Sequence, residues 1–167
     1  MPKGIKETSG LIVISSQITE SAANTFTSET VDVQLNPLDN EVLVVYGVDL
    51  DASRPDLIAA TNTECRMTLS TVPRTTVGSI ANPNVLAAAR IVTQDNGVTA
   101  VTNAFSSDSA PSTMLEYLGI IATNDFALQI EGINNASPMV GAAKLYCVRG
   151  KADASIYSAL VQSELLS

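Results

Sequence analysis

Ten residues, EVLVVYGVDL at positions 41–50, restrict the fold more than any other stretch. Val42, Val44, Tyr46, Val48 and Leu50 fall on one face of a strand, and Leu43 and Val45 make the other face apolar too. Successive strand side chains point to opposite sides. A strand apolar on both therefore needs cover on both, from a second sheet and from a further element. Upstream, Val31, Val33 and Leu35 alternate with Asp32 and Gln34, the pattern of a half-buried strand. Between the two, Asn36-Pro37-Leu38-Asp39-Asn40 supplies turn chemistry, because proline fixes φ while Asn and Asp bond their own backbone. The stretch from Val31 to Ala52 thus reads as a hairpin.

The remainder of the chain repeats this grammar. Residues 11–14, extendable to Ile18, form a short strand behind a tail carrying Pro2, Gly4 and Gly10. Residues 21–30 are rich in hydroxyls, with Phe26 directed to the core. Ser53, Pro55 and Asp56 carry helix-start chemistry and predict one or two helical turns within residues 53–60. TECRMTLSTV, 63–72, is a strand with one wet face, stopped by Pro73. In VLAAARIVTQ, 85–94, the alanines would suit a helix and ARIVT a strand. Asp95-Asn96-Gly97 is the strongest hairpin turn signal in the chain, so residues 88–93 and 98–105 read as paired strands. Residues 106–113 read as loop, and 114–122 with 126–133 as a further hairpin about Thr123-Asn124-Asp125. A loop, 134–141, then leads to a strand over 142–148. After Asp153, Ile156, Tyr157, Leu160, Val161 and Leu165 recur at helical spacing. SIYSALV would also serve as an edge strand, but the helix is favoured.

Eight to ten short strands separated by Pro, Gly, Asn and Ser turns predict an all-β, antiparallel two-sheet sandwich or barrel. A chain of 167 residues suits one such domain. Its parts are residues 1–20 as an arm or first edge strand, 21–152 as the sandwich, and 153–167 as a C-terminal helix or extension. Only 16 % of residues are charged and 4 % aromatic, against 46 % hydrophobic. Val, Ile, Leu and Ala must build the core, and so apolar a surface suits burial by other subunits.

Catalytic chemistry is largely excluded. The chain has no histidine, which removes Ser-His-Asp, Cys-His and His-metal arrangements and the commonest general base. No glycine-rich phosphate cradle occurs. Asp49 and Asp51 lie two apart on one strand face and could in principle hold a cation or act as an acid–base pair; the simpler reading is the polar end of a strand. The segment DLDASRPD fails as a calcium loop, with Arg54 where the turn glycine belongs. Cys65 and Cys147 read as two buried small hydrophobes, with a disulfide open only if their strands are neighbours, and no CxxC spacing suggests zinc. Asn135-Ala136-Ser137 is a chance sequon followed by Pro138. Residues 11–14 are too short for the apolar core of a secretory signal, and no apolar run approaches a membrane span. No catalytic, cofactor-binding or metal residue is assigned.

Charge bounds the partners. Net charge is −8, and between Lys6 and Arg54 there are Glu7, Glu20, Glu29, Asp32, Asp39, Glu41, Asp49 and Asp51 without a single base. Such a surface repels phosphate, which disfavours direct nucleic-acid binding. Copies would repel one another unless Arg54, Arg66, Arg74, Arg90, Arg149 or Lys151 faced these acids.

In strand count and order, with candidates at 25–35, 41–51, 63–72, 88–94, 98–105, 114–122, 126–133 and 142–150, the chain resembles the single jelly-roll capsid proteins of small icosahedral viruses. That resemblance implies eight strands in two facing sheets, an arm before residue 20, inter-strand loops at 53–62 and 73–87, and a shell subunit of the virion whose partners are its own copies and other virion proteins. Many such proteins carry a basic arm for the genome, and this chain has only Lys3 and Lys6. The leading expectation is a non-enzymatic, self-assembling capsid subunit without cofactors, sequence-specific nucleic-acid binding or membrane insertion. The alternative is a phage decoration, tail-associated or carbohydrate-binding sandwich; a carboxylate hydrolase using Asp49 or Asp51 is the weakest reading.

Overall fold

Val42, Leu43, Val44 and Val45 are each at most 1 % exposed in the computed structural model, which describes residues 1–106 and 115–167. They lie in β4 (Glu41–Ala52), and the cover on both sides is present. Leu43 and Val45 enter the main core between two sheets. Val42 and Val44 enter a second cluster with Ile5, Ala122 and Val148, against which Ile156, Tyr157, Leu160 and Val161 of α1 (Ala154–Leu166) pack. Burying each such side chain contributes about 1.5–3 kcal/mol.

The strand does not keep one phase. Its register with β10 (Val140–Ala152) slips so that Tyr146 faces Gly47 while Cys147 faces Val45. Tyr46 is the extra residue of a β-bulge, and one extra residue reverses the alternation. Val48, Leu50 and Ala52 therefore join Leu43 and Val45 on the inner face. The expectation that Val42, Val44, Tyr46, Val48 and Leu50 share a face is corrected accordingly.

The other strands are β1 (Ile5–Glu7), β2 (Ile12–Thr19), β3 (Thr27–Asp32), β5 (Thr63–Ser70), β6 (Val85–Asp95), β7 (Ala100–Ser106), β8 (Gly119–Ile121) and β9 (Asp125–Ile133). One sheet runs β1-β10-β4-β8, with β2 also on β10; the other runs β3-β9-β5-β6-β7. β1 and β2 sit end to end along one edge of β10, Glu7 opposite Gly150 and Ile12 opposite Cys147. The pairs β2·β10, β3·β9, β4·β8 and β5·β6 are nested like the rungs of one long hairpin. Rolling that hairpin brings β10 beside β4 and β9 beside β5. The fold is a jelly roll.

Several expected details change. Val31 to Ala52 is a corner between sheets, not a hairpin, because β10 and β8 take both edges of β4 and β3 pairs with β9. Gln34 adopts φ 51°, ending β3, and the Arg149 guanidinium donates to the carbonyls of Val33 (2.8 Å) and Gln34 (3.2 Å) and to Glu41 (3.0 Å). The turn itself is a short 3-10 helix, Pro37–Asp39. The second expected hairpin, 114–122 with 126–133, is also a corner: among the described residues 115–122 only Gly119–Ile121 is strand, on β4, while β9 belongs to the opposite sheet. Met114, and the loop predicted over 106–113 beyond Ser106, lie outside the described residues. Residues 53–62 form no helix, since the backbone of Asp56 is engaged by Asn135 and Thr63, and its carboxylate by Ala136 and Ser137. Finally, β2 is the first strand of the roll, whereas β7 is an addition outside the eight.

The 95–97 turn is a hairpin as read, with Asp95 opposite Ala100 and Gly97 at φ +85°. The alanine-rich start of β6 is strand, because Ala87 and Ala89 pack inward on β5.

The helix α1 is held by a buried carboxylate. Glu164, 8 % exposed, accepts from the backbone N–H of Ala122 (2.8 Å) and Thr123 (2.9 Å). Desolvation, only partly offset by these hydrogen bonds, raises its pKa above the ordinary carboxylate value. The folded chain therefore holds a proton that the unfolded chain releases, and this group's contribution to stability falls as pH rises between the two values. Glu164→Ala should cost about 2 kcal/mol in chemical denaturation, by leaving buried donors unpaired, and should remove this part of the pH dependence. An unchanged midpoint would show that the carboxylate does not hold the helix.

Candidate functional site

The residues singled out in the sequence do not converge. Asp49 and Asp51 follow the bulge on the exposed face of β4, and Asp49 Oδ2 accepts from the Tyr146 hydroxyl at 3.0 Å. Among the described residues no group of three His, Cys, Asp or Glu side chains could hold a metal. Cys65 on β5 and Cys147 on β10 are buried and unbonded. They belong to opposite sheets, and burial pushes both thiols up to about 11. At neutral pH they are protonated, and so poor nucleophiles. Asn135 of the sequon is 5 % exposed, its amide donating to the Glu64 carbonyl and accepting from Asp56 N–H.

Several polar groups invisible as a pattern turn out to be structural. Glu20, 3 % exposed, accepts from Gly132 N–H (2.6 Å), Met139 N–H (2.6 Å) and Thr25 N–H (3.1 Å), tying the loops at one end of the roll. Gln129, fully buried on β9, bonds Thr68 and Ser70 of β5. A buried carboxylate or amide satisfied in this way fixes loops and register and leaves no group free for chemistry.

The surface is more informative. On the outer face of the β3-β9-β5-β6-β7 sheet, under the 71–84 loop, lies a groove of about 830 Å3. Arg66 and Arg90 sit opposite each other on β5 and β6, and Arg74 comes from the loop; all three line the groove, with Val77, Ile80 and Phe105, and among the described residues no acid does. The guanidinium of Arg90 stacks over the Phe105 ring at 5.1 Å from its centroid, a cation–π contact. Arg74 donates to Asn84 Oδ1 at 2.7 Å. Glu64 binds Arg66 and stands 3.6 Å from Arg90. Arg149 and Lys151 are likewise paired within the chain, to Glu41 and Asp39. The arginines are far apart in sequence; only the strand register and the loop's return collect them.

The edges of this sheet differ. Among the described residues β7 pairs only with β6, and β3 only with β9. β7 contains no charged residue and exposes Val101 and Phe105, an edge without the charges that usually blunt one. β3 exposes Glu29 and Asp32.

No family model and no curated protein matches the chain. Among solved structures, a chain from Desmodium yellow mottle tymovirus aligns with 93 % of this chain and 96 % of its own, at 13 % identity and TM-score 0.35. A tailspike protein, gp49 of the Acinetobacter baumannii bacteriophage Fri1, described as a capsular polysaccharide depolymerase, aligns with 79 % of this chain but only 19 % of its own, at 15 % identity and TM-score 0.17. The jelly-roll assignment rests on strand pairing. By that strand pattern the chain resembles single jelly-roll capsid proteins.

The native protein at pH 8 should leave both Cys65 and Cys147 unmodified by a maleimide, and denaturant should expose both. Rapid labelling of either in the native state would contradict their placement in the core.

Proposed function

We propose that this chain is a non-enzymatic structural subunit that assembles with its own copies into an icosahedral virion shell. The observation that supports this most is the open sheet: a jelly-roll wall ending in an uncharged apolar edge at β7 and an acidic edge at β3. Head-to-tail contact of unlike edges closes rings around symmetry axes. The apolar residues Leu11, Leu38, Leu57 and Ile80 are also exposed, as suits surfaces that neighbours cover.

The chemistry of the chain agrees. No imidazole is present and both thiols are buried. No helix among the described residues is long and apolar enough to cross a membrane. A glycan platform presents clustered exposed rings, and among the described residues the groove lining holds a single one, Phe105. With net charge −8, the subunit meets its genome through other virion components or counterions rather than by sequence-specific contact.

Copies carrying this charge repel at low salt, and screening relieves the repulsion. Light scattering and sedimentation of the purified chain should therefore show assembly strengthening as ionic strength rises from about 0.01 M to about 0.15 M, and on addition of divalent cations. A monodisperse monomer at every salt and protein concentration would overturn the reading.

A further inference from the structure

We infer that Asn96 is a self-modification site, where the side-chain amide cyclises onto the backbone nitrogen of Gly97 when the β6–β7 hairpin opens and is held unreactive while the hairpin is closed. The chemistry goes beyond the shell reading and does not depend on it.

Such a step needs an asparagine followed by a residue whose backbone nitrogen is unhindered. Among the asparagines of the chain only Asn96 precedes glycine, which has no Cβ to crowd that nitrogen. Asn36 and Asn82 precede proline, whose nitrogen carries no hydrogen. In the step, the Gly97 nitrogen gives its proton to hydroxide and attacks Asn96 Cγ. A new C–N bond closes a succinimide, the bond to the side-chain nitrogen breaks, and ammonia leaves. Water then opens the ring at either carbonyl, leaving aspartate or isoaspartate at position 96. In sum, water is consumed and ammonia released.

The closed turn engages both reacting groups. Gly97, at φ +85°, donates its N–H to Asp95 Oδ1 at 2.6 Å. Asn96 Oδ1 accepts from the N–H of Val98 (3.0 Å) and of Thr99 (2.9 Å). These effects oppose each other. Donors on Oδ1 draw electrons from Cγ and favour attack. The Asp95 carboxylate keeps the proton on the attacking nitrogen, because losing it would set a second negative charge against the first. The nitrogen decides the outcome, since no ring closes until it is deprotonated.

Opening is local. Among the described residues β7 pairs only with β6, and it lies outside the eight strands of the roll. Every residue from Asn96 to Phe105 is exposed. An edge strand with so little buried surface belongs to the low end of local stability. The rate in the folded chain is then the open-chain rate multiplied by the fraction of hairpin open. Either product adds a carboxylate beside Asp95. Isoaspartate also inserts an extra backbone carbon into the turn, against the register that sets Asp95 opposite Ala100 and Thr93 opposite Thr102. Modification thereby marks a chain whose β7 has opened and holds it open.

The test is peptide mapping by mass spectrometry, with isoaspartate resolved chromatographically, of the full chain kept folded and of the chain unfolded in urea at the same mildly alkaline pH. In urea Asn96 should be the first asparagine to react. Folding should slow it about tenfold or more, which corresponds to a hairpin open about a tenth of the time or less. Asp95→Ala should speed the reaction severalfold in the folded chain and leave the rate in urea unchanged. Hydrogen exchange of the β7 amides should be faster in the modified chain than in the unmodified one. Equal rates in folded and unfolded wild type, a folded Asp95→Ala chain as slow as wild type, β7 amides equally protected before and after modification, or another asparagine reacting ahead of Asn96 in urea would each overturn the inference. If Asp95→Ala does not fold, the comparisons on the wild-type chain decide.

Discussion

Everything in this fold is arranged around a strand that water cannot touch on either side. β4 presents Leu43 and Val45 to the facing sheet and Val42 and Val44 to the helix. Its edges are filled by β10 and β8. Apolar side chains on both faces exclude any arrangement in which β4 is a surface strand of a simple meander. The bulge at Tyr46 then lets the same strand leave the helix-covered region and keep Val48 and Leu50 in the main core. Asp49 and Asp51 consequently point outward, so a backbone irregularity rather than a chemical demand explains why both face solvent.

Much of this was legible in the residues. Alternation located most strands, and Asn96-Gly97 located a hairpin because its signal is local: Gly97 supplies the positive φ and the Asn96 side chain bonds the loop. The requirement for cover on both faces of β4 followed from seven side chains, and the helical spacing of Ile156, Leu160 and Val161 located the element that supplies part of it. What sequence could not distinguish is a hairpin from a corner. Asn36–Asn40 and Thr123–Asp125 carry turn chemistry suited to both, and the choice is made at long range by which edges of β4 and β9 remain free. The bulge was illegible for a similar reason, since Tyr46-Gly47 is an ordinary strand dipeptide until the pairing with Tyr146 and Cys147 is known.

The surface was least legible. Arg66, Arg74 and Arg90 stand apart in the chain, and nothing in their spacing predicts a common groove. Reading strands gave Arg66 a wet face, but its meeting with Arg90 depends on the register of β5 with β6, and that of Arg74 on a loop folding back over the sheet. Ion pairs within the chain, Arg149–Glu41 and Lys151–Asp39 between elements and Arg66 and Arg90 with Glu64 on the sheet, likewise depend on pairing that spacing does not predict.

The most direct test is electron cryomicroscopy of the purified chain at the salt where scattering is highest. The account predicts closed particles of uniform diameter in which every subunit makes the same contacts with its neighbours. Images containing only isolated subunits, or open aggregates with no repeated contact, would contradict it.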